Sequence, residues 1–166
     1  MIFMGVCKYM RKTFEDKKQR KRNVIGWNKQ AAIVRIDEPS RLDRARAVGY
    51  RAKQGFAVVR IRIGKGSSKR EQPAGGRKPA HAGMTRVTPA KSLQRIAEER
   101  VSKKYLNMEA LNSYYAGESG KDIWYEVIMV DPSHPAVKAD GKISWIATQR
   151  GRAERGLTSA GKAGRR

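Results

Sequence analysis

Few residues in this chain have the types and spacing that chemistry needs, and each reading closes quickly. The stretch Gly64-Lys65-Gly66-Ser67-Ser68-Lys69 follows an alternating apolar run and invites comparison with a phosphate-binding loop. Such a loop needs G-x-x-x-x-G-K-[ST] feeding directly into a helix, so that backbone N–H groups converge on phosphate. Here the spacing is wrong, and Pro73 with Gly75-Gly76 prevents the helix. The two histidines offer no general base: His81 lies in the glycine-rich loop and His134 beside Pro135, with nothing to hold either against a nucleophile. Glu98-Glu99 are adjacent on a helical pattern and so do not share a face. Arg95 and Lys103, each four residues from Glu99, make helix ion pairs the expected role. Cys7 is the single cysteine, which excludes an intrachain disulfide, and no CxxC, HExxH or Asp-rich metal loop is present. The expectation is a protein without catalytic residues, cofactor or metal site of its own.

What remains is positive charge. The 166 residues carry 37 Lys and Arg against 15 Asp and Glu, a formal net charge of +22. A surplus of that size repels itself and implies a polyanionic partner. Yet 39% of residues are hydrophobic, enough for an ordered core with charged appendages. Apolar runs such as Val127–Val130 reach only four residues, so no membrane span is expected. The opening stretch MIFMGVCKYM lacks the features of a secretory signal, and a cytoplasmic location is expected.

The elements that must position the cations can be read in order. Val6, Tyr9, Met10 and Phe14 stand near helical spacing before the run KKQRKR at 17–22, predicting a basic N-terminal helix within residues 1–30, with Trp27 plugging the core rim. Ala31–Asp37 reads as a first strand ended by Pro39. Ser40, three residues before Asp43, is the predicted cap of a two-turn helix over Leu42, Ala45 and Val48 that Gly49 closes. In the run from Phe56 to Ile63, Ala57, Val59, Ile61 and Ile63 alternate with Phe56, Val58, Arg60 and Arg62, predicting a strand with one buried face and two outward arginines. The loop over 64–87 holds six Lys or Arg and one acid, Glu71, and has too few apolar side chains to offset its own ordering entropy. Thr88-Pro89 predicts a helix start, and Leu93, Ile96, Ala97 and Val101 make 89–104 amphipathic. Leu111–Ala116 and Ile123–Asp131 flank a short turn and predict a hairpin, the second strand central because both its faces are apolar. Ser133 is the predicted cap of a short helix through Lys138, and Ile143–Ile146 an edge segment or plug. The body at 31–146 is thus expected to be α/β, of α+β type. Its small, mostly antiparallel four-stranded sheet has helices on both faces, and a basic C-terminal extension occupies 147–166.

The predicted nucleic-acid contacts follow from this placement. From the body come Arg41, Arg44, Arg46, Arg51, Lys53, Arg60 and Arg62, since cations on rigid elements position phosphates. The loop adds Lys65, Lys69, Arg70, Arg77, Lys78 and Arg86; the first helix adds Lys17, Lys18, Arg20, Lys21 and Arg22; the C-terminal stretch adds Arg150, Arg152, Arg155 and Lys162. A membrane is disfavoured because the N-terminal helix loses its apolar face after Phe14. No helix-turn-helix, zinc finger or basic zipper supports a DNA reader, and no paired surface aromatics support an isolated RNA-recognition sheet. Dispersed basic projections on a small body suit a large folded RNA; a generic basic RNA- or DNA-binding chaperone or DNA-compacting protein is the alternative.

Several stretches carry a specific resemblance: RLDRARAVGYRAKQGF at 41–56 followed by RIRIGKGSSKR, SLQRIAEER at 92–100, ALNSYYAG at 110–117, EVIMVDPSHPAVK at 126–138 and RGLTSAGK at 155–162. In this order they resemble the archaeal and eukaryotic-type large-subunit ribosomal protein fifteen family. The first thirty residues share with it only a basic helix leading toward a tryptophan. The resemblance implies a small antiparallel sheet between helices, with loops threaded into large-subunit rRNA. It also implies neighbouring ribosomal proteins as partners, a structural role in the cytoplasmic ribosome and no enzymatic activity. Mg2+ would be present only as ions carried by the rRNA. Family members carry a longer basic tail, so a chain stopping at Arg166 implies fewer tail contacts.

Overall fold

The computed structural model describes residues 9–10, 14, 17–66, 71, 73–83 and 89–164, with backbone alone at Lys17 and Lys18. Four strands form one antiparallel sheet in the order β1-β2-β4-β3. They are β1 (Ile33–Ile36), β2 (Phe56–Gly64), β3 (Glu109–Glu118) and β4 (Asp122–Val130). The α+β architecture with a small antiparallel four-stranded sheet is therefore as the sequence implies. β4 is central, paired with β2 on one side and β3 on the other, which explains why both its faces are apolar. Among the described residues the helices whose bounds are defined are α1 (Lys17–Asn28), α2 (Leu42–Ala47), α3 (Leu93–Lys104), α4 (Pro135–Lys138) and α5 (Ser159–Ala163), with 3-10 turns at Pro79–His81 and Ser144–Thr148.

The period-two alternation of β2 and β4 separates two cores. On one face Ala57, Val59, Ile61 and Ile63 meet Val127, Met129 and Ala110 beneath Ala97 and Val101 of α3. On the other, Ile128, Val130, Leu111 and Tyr114 meet Ala45 of α2, Val137 of α4, and Ile143 and Ile146 around the second 3-10 turn. A bulge in β3 between Ala110 and Asn112 turns Leu111 into this second core. The far end of the second face is closed by α1, whose Val24 and Trp27, three residues apart, pack on Ala116 and Trp124. Gly117 makes that docking possible: a Cβ there would lie 3.0 Å from the Trp27 ring and 3.3 Å from Val24.

The structure departs from expectation at the helix starts. α1 reaches Asn28 because Val24 and Trp27 supply the apolar face that the basic run at 17–22 lacks. Ser40 does not cap α2: Arg41 holds the cap position without a side-chain bond, and the Ser40 hydroxyl donates to Glu126 at 2.5 Å. α3 starts at Leu93, where Ser92 Oγ accepts from the Arg95 N–H at 3.2 Å; Thr88 is outside the described residues. His134, not Ser133, caps α4, its Nδ1 accepting from the Ala136 N–H at 3.1 Å. Ile143 and Ile146 form the expected plug, in a 3-10 turn.

The largest departure is at the C-terminal end. Residues 150–164 lie against the body, with Arg152, Ala153, Gly156, Thr158 and Gly161 buried. Glu109 of β3 accepts from the N–H groups of Gly151 (3.0 Å) and Arg152 (3.2 Å). Thr158 caps α5 through the Gly161 N–H and donates its hydroxyl to Glu98 at 2.5 Å. Small residues let this segment approach closely, and two carboxylates distant in sequence hold it.

Candidate nucleic-acid interface

The cations divide by what the folded body does with them. Arg60 stands opposite Glu126 in the β2–β4 register, and Tyr114 stands opposite Glu126 in the β3–β4 register. This polar row crosses three strands on the second face. The Glu126 carboxylate is fully buried and accepts from Arg60 Nε (3.2 Å), the Tyr114 hydroxyl (2.6 Å), the Ser40 hydroxyl (2.5 Å) and the Ser40 N–H (3.0 Å). Arg60 also lies 4.2 Å from the centre of the Trp27 ring, and its side chain is 11% exposed. Burial first, then the adjacent Glu126 charge, pushes the Tyr114 phenol well above the usual tyrosine range, so it stays a donor at any ordinary pH. The outward arginine expected at position 60 is thus an inward one.

Other predicted contacts are likewise engaged by the fold. Arg41, 12% exposed, lies 3.8 Å from the Phe14 ring centre, beside Asp43. Arg62 donates to the Asn28 carbonyl at 3.2 Å, tying β2 to the end of α1. Half-buried Arg20 sits beside the Phe14 ring, and Lys65 pairs with Glu118 at 3.1 Å. Lys53 donates to Asp140 at 2.6 Å and to the Ala136 carbonyl at 3.1 Å. The Lys53 hydrogen bond, then the Lys142 N–H, holds the Asp140 carboxyl below its ordinary value. Arg152 is 7% exposed and donates to the carbonyls of Ala110, Leu111 and Leu157. Its expected role as an outward contact of a basic extension is replaced by that of a bolt between the C-terminal segment and β3.

The remaining described cations of the predicted set face solvent. Arg44 and Arg46 are exposed on α2 on either side of the fully buried Ala45, so a single anchored turn holds two guanidinium groups outward. Arg51 keeps 45% of its side chain exposed while bonding Asp140 at 3.1 Å. Lys21 and Arg22 on α1, Arg77 and Lys78 in the loop, and Arg150, Arg155 and Lys162 are exposed. Arg155 donates to the Arg150 carbonyl at 2.5 Å. Lys69, Arg70 and Arg86 fall outside the described residues, as do the side chains of Lys17 and Lys18.

The acids read as ion-pair partners split in the same way. Glu99 takes Arg95 at 3.1 Å as expected, with Lys91 at 2.7 Å as its second cation. Glu98 instead turns into the core, accepting from Ser113 and Thr158 at 2.5 Å each. Burial raises its pKa, opposed by those two hydrogen bonds and by the Arg152 and Arg95 charges. Sequence reasoning missed the buried roles of Glu98, Glu109 and Glu126. Their signal was weak: Glu126 interrupts an otherwise apolar strand, and Glu98 falls one residue after Ala97 in the helical stripe. Among the described residues no group of three His, Cys, Asp or Glu is placed to hold a metal ion, and no helix is long and apolar enough to cross a membrane. The described cations of the predicted set thus divide into those held by the fold and those exposed to solvent. A family model described as Ribosomal L15 matches residues 5–166.

Proposed function

The chain belongs to the Ribosomal L15 family, a structural constituent of the large ribosomal subunit, and from that premise we propose how it serves there. It binds and stabilises large-subunit rRNA by presenting guanidinium and ammonium groups from a folded body, and so contributes to translation in the cytoplasmic ribosome. The observation that carries this reading is α2, where Arg44 and Arg46 project from a turn anchored by Ala45. Cations on such a support choose where phosphates sit, whereas those on extended chain add attraction of lower positional specificity. The phosphate-facing set is Lys21, Arg22, Arg44, Arg46, Arg51, Arg77, Lys78, Arg150, Arg155 and Lys162. Lys17, Lys18, Lys69, Arg70 and Arg86 join it by charge and position in the sequence. Arg20, Arg41, Lys53, Arg60, Arg62 and Arg152 act instead on the fold that holds the first set in place, while Lys65, exposed beside Glu118, stays with the phosphate-facing set. Neutralising phosphates releases condensed counterions, so the binding should be strongly salt-dependent. Neighbouring large-subunit proteins complete the surroundings.

The test is co-sedimentation with large subunits through a salt series, with duplex DNA as competitor. Retention through a moderate salt wash and indifference to added DNA support the reading. Release under mild salt together with equal affinity for duplex DNA would instead identify a general basic nucleic-acid chaperone.

A further inference from the structure

Trp145 sits where a core residue would be expected to vanish and does not. Ile143 and Ile146 are buried on one side of the 3-10 turn, while Trp145 between them keeps 45% of its surface exposed. The indole is nonetheless fixed. Its Nε1 donates to the Lys142 carbonyl at 3.2 Å, and the Arg152 guanidinium lies 4.6 Å from its ring centre. Arg152 is itself pinned by three backbone carbonyls, so it cannot swing away without breaking the C-terminal segment's attachment. With one face backed by a cation and the N–H edge satisfied, the exposure falls on the opposite face and the outer edge. The ring is rigid, and the cation behind it draws on its π-density.

The surroundings decide what such a platform takes. Lys138, Lys142 and Arg150 are all exposed within seven residues of Trp145. The nearest acid in sequence, Asp140, is already engaged by Arg51 and Lys53. A protein partner would have to bring acidic groups to this rim, whereas a nucleotide brings a flat base and a phosphate together. We propose that Trp145 is a stacking platform for an unpaired base of large-subunit rRNA, with Lys142 and Arg150 on the flanking phosphates. This rests on the ribosomal reading above and adds a base-recognising site to it. Unpaired bases stack on aromatic faces in sequence-tolerant fashion, and a pre-ordered ring loses little entropy in doing so.

The other tryptophans make the test clean, because Trp27 and Trp124 are 8% and 2% exposed. The 166-residue chain is titrated with protein-free large-subunit rRNA while tryptophan emission and its quenching by acrylamide are followed, alongside the variants Trp145→Leu and Trp145→Phe. Wild type should show quenched emission and loss of acrylamide access on binding. Trp145→Leu should bind about tenfold more weakly at an unchanged salt slope, and Trp145→Phe should recover most of that loss. Heparin, which has charge but no bases, should bind all three alike. Wild-type binding to rRNA with unaltered Trp145 accessibility, or equal affinity of the Leu and wild-type chains, overturns the platform while leaving the ribosomal reading intact. Failure of wild type to prefer this rRNA over duplex DNA overturns the ribosomal reading itself. If Trp145→Leu does not unfold cooperatively, the Phe variant and the wild-type quenching still decide.

Discussion

The sorting of cations into inward and outward sets is most sharply tested at Glu126. Replacing it by Ala leaves the Arg60 guanidinium without its counterion at 11% exposure, and strips the acceptor from the Tyr114 hydroxyl and from the Ser40 N–H and hydroxyl. Removing one partner of a buried pair costs about 3–5 kcal/mol, because the other charge stays behind. Each further orphaned donor adds about 1–3 kcal/mol if it finds no water. These terms overlap, since opening the site to water relieves several at once, so about 4 kcal/mol is the working figure. For a chain of this size that lowers the unfolding temperature by roughly 10 °C, at about 2–4 °C per kcal/mol. Urea denaturation followed by circular dichroism, in enough salt to screen the +22 charge, measures it directly. Arg60→Met should cost less, about 1.5–3 kcal/mol, because Glu126 keeps three neutral donors. That variant should leave the salt slope of RNA binding where it was. A Glu126→Ala chain within about 1 kcal/mol of wild type at equal m-value, or an Arg60→Met chain whose RNA salt slope falls, would show that the polar row does not hold the fold as described.

Arg44→Gln and Arg46→Gln should act in the opposite sense, each lowering the RNA salt slope by about one while changing stability by less than about 0.5 kcal/mol; filter binding at several salt concentrations reads both. Trp27→Ala should cost about 3–5 kcal/mol and detach α1 from the hairpin, seen as faster amide exchange across Val24–Asn28. Gly161→Ala places a methyl 2.5–2.7 Å from the backbone of Gly156, which cannot yield as a side chain would; a loss of about 1–3 kcal/mol is expected, with proteolysis starting in the C-terminal segment. For Glu98 the pKa is raised in the folded chain, so its contribution is complete below the ordinary carboxylate value and is lost as pH rises through the raised one. Glu98→Gln, neutral throughout, should therefore gain stability relative to wild type with rising pH across that window. Parallel denaturation midpoints for the two chains over that range would refute the buried-carboxylate argument.

The sheet was legible because β2 writes its environment into a period of two and β4, apolar on both faces, writes its central place. Ala57, Val59, Ile61 and Ile63 face one core together, and no other conformation puts them on a common side. The helix starts were less legible, for a chemical reason. A serine hydroxyl ahead of a helix serves equally well as a cap or as a donor to a buried carboxylate, and Ser40 does the latter through a partner 86 residues away. Ser92 caps α3, whereas the cap position of α4 falls to His134 and not to Ser133. The C-terminal stretch was misread because Gly, Ala and Arg are as suited to close packing as to extended tails. What distinguishes the two is a carboxylate waiting on the body, and Glu98 and Glu109 lie some 40 to 60 residues before their partners.

Charge count therefore overstates the outward-facing cationic surface of a protein like this one. A chain rich in arginine is free to use guanidinium groups as structural donors, since each offers five N–H bonds in a fixed plane and satisfies carbonyls at segment junctions. Arg62 does this for the end of α1, and Arg152 for two carbonyls of β3 and one of the C-terminal segment. Such arginines would be invisible to a salt titration yet would destabilise the fold on removal. An exposed arginine on α2 should do the reverse. The two responses separate on one pair of axes, unfolding free energy and salt slope, and the position of each cation on those axes follows from its exposure and its nearest carbonyl or carboxylate, not from its place in a basic run.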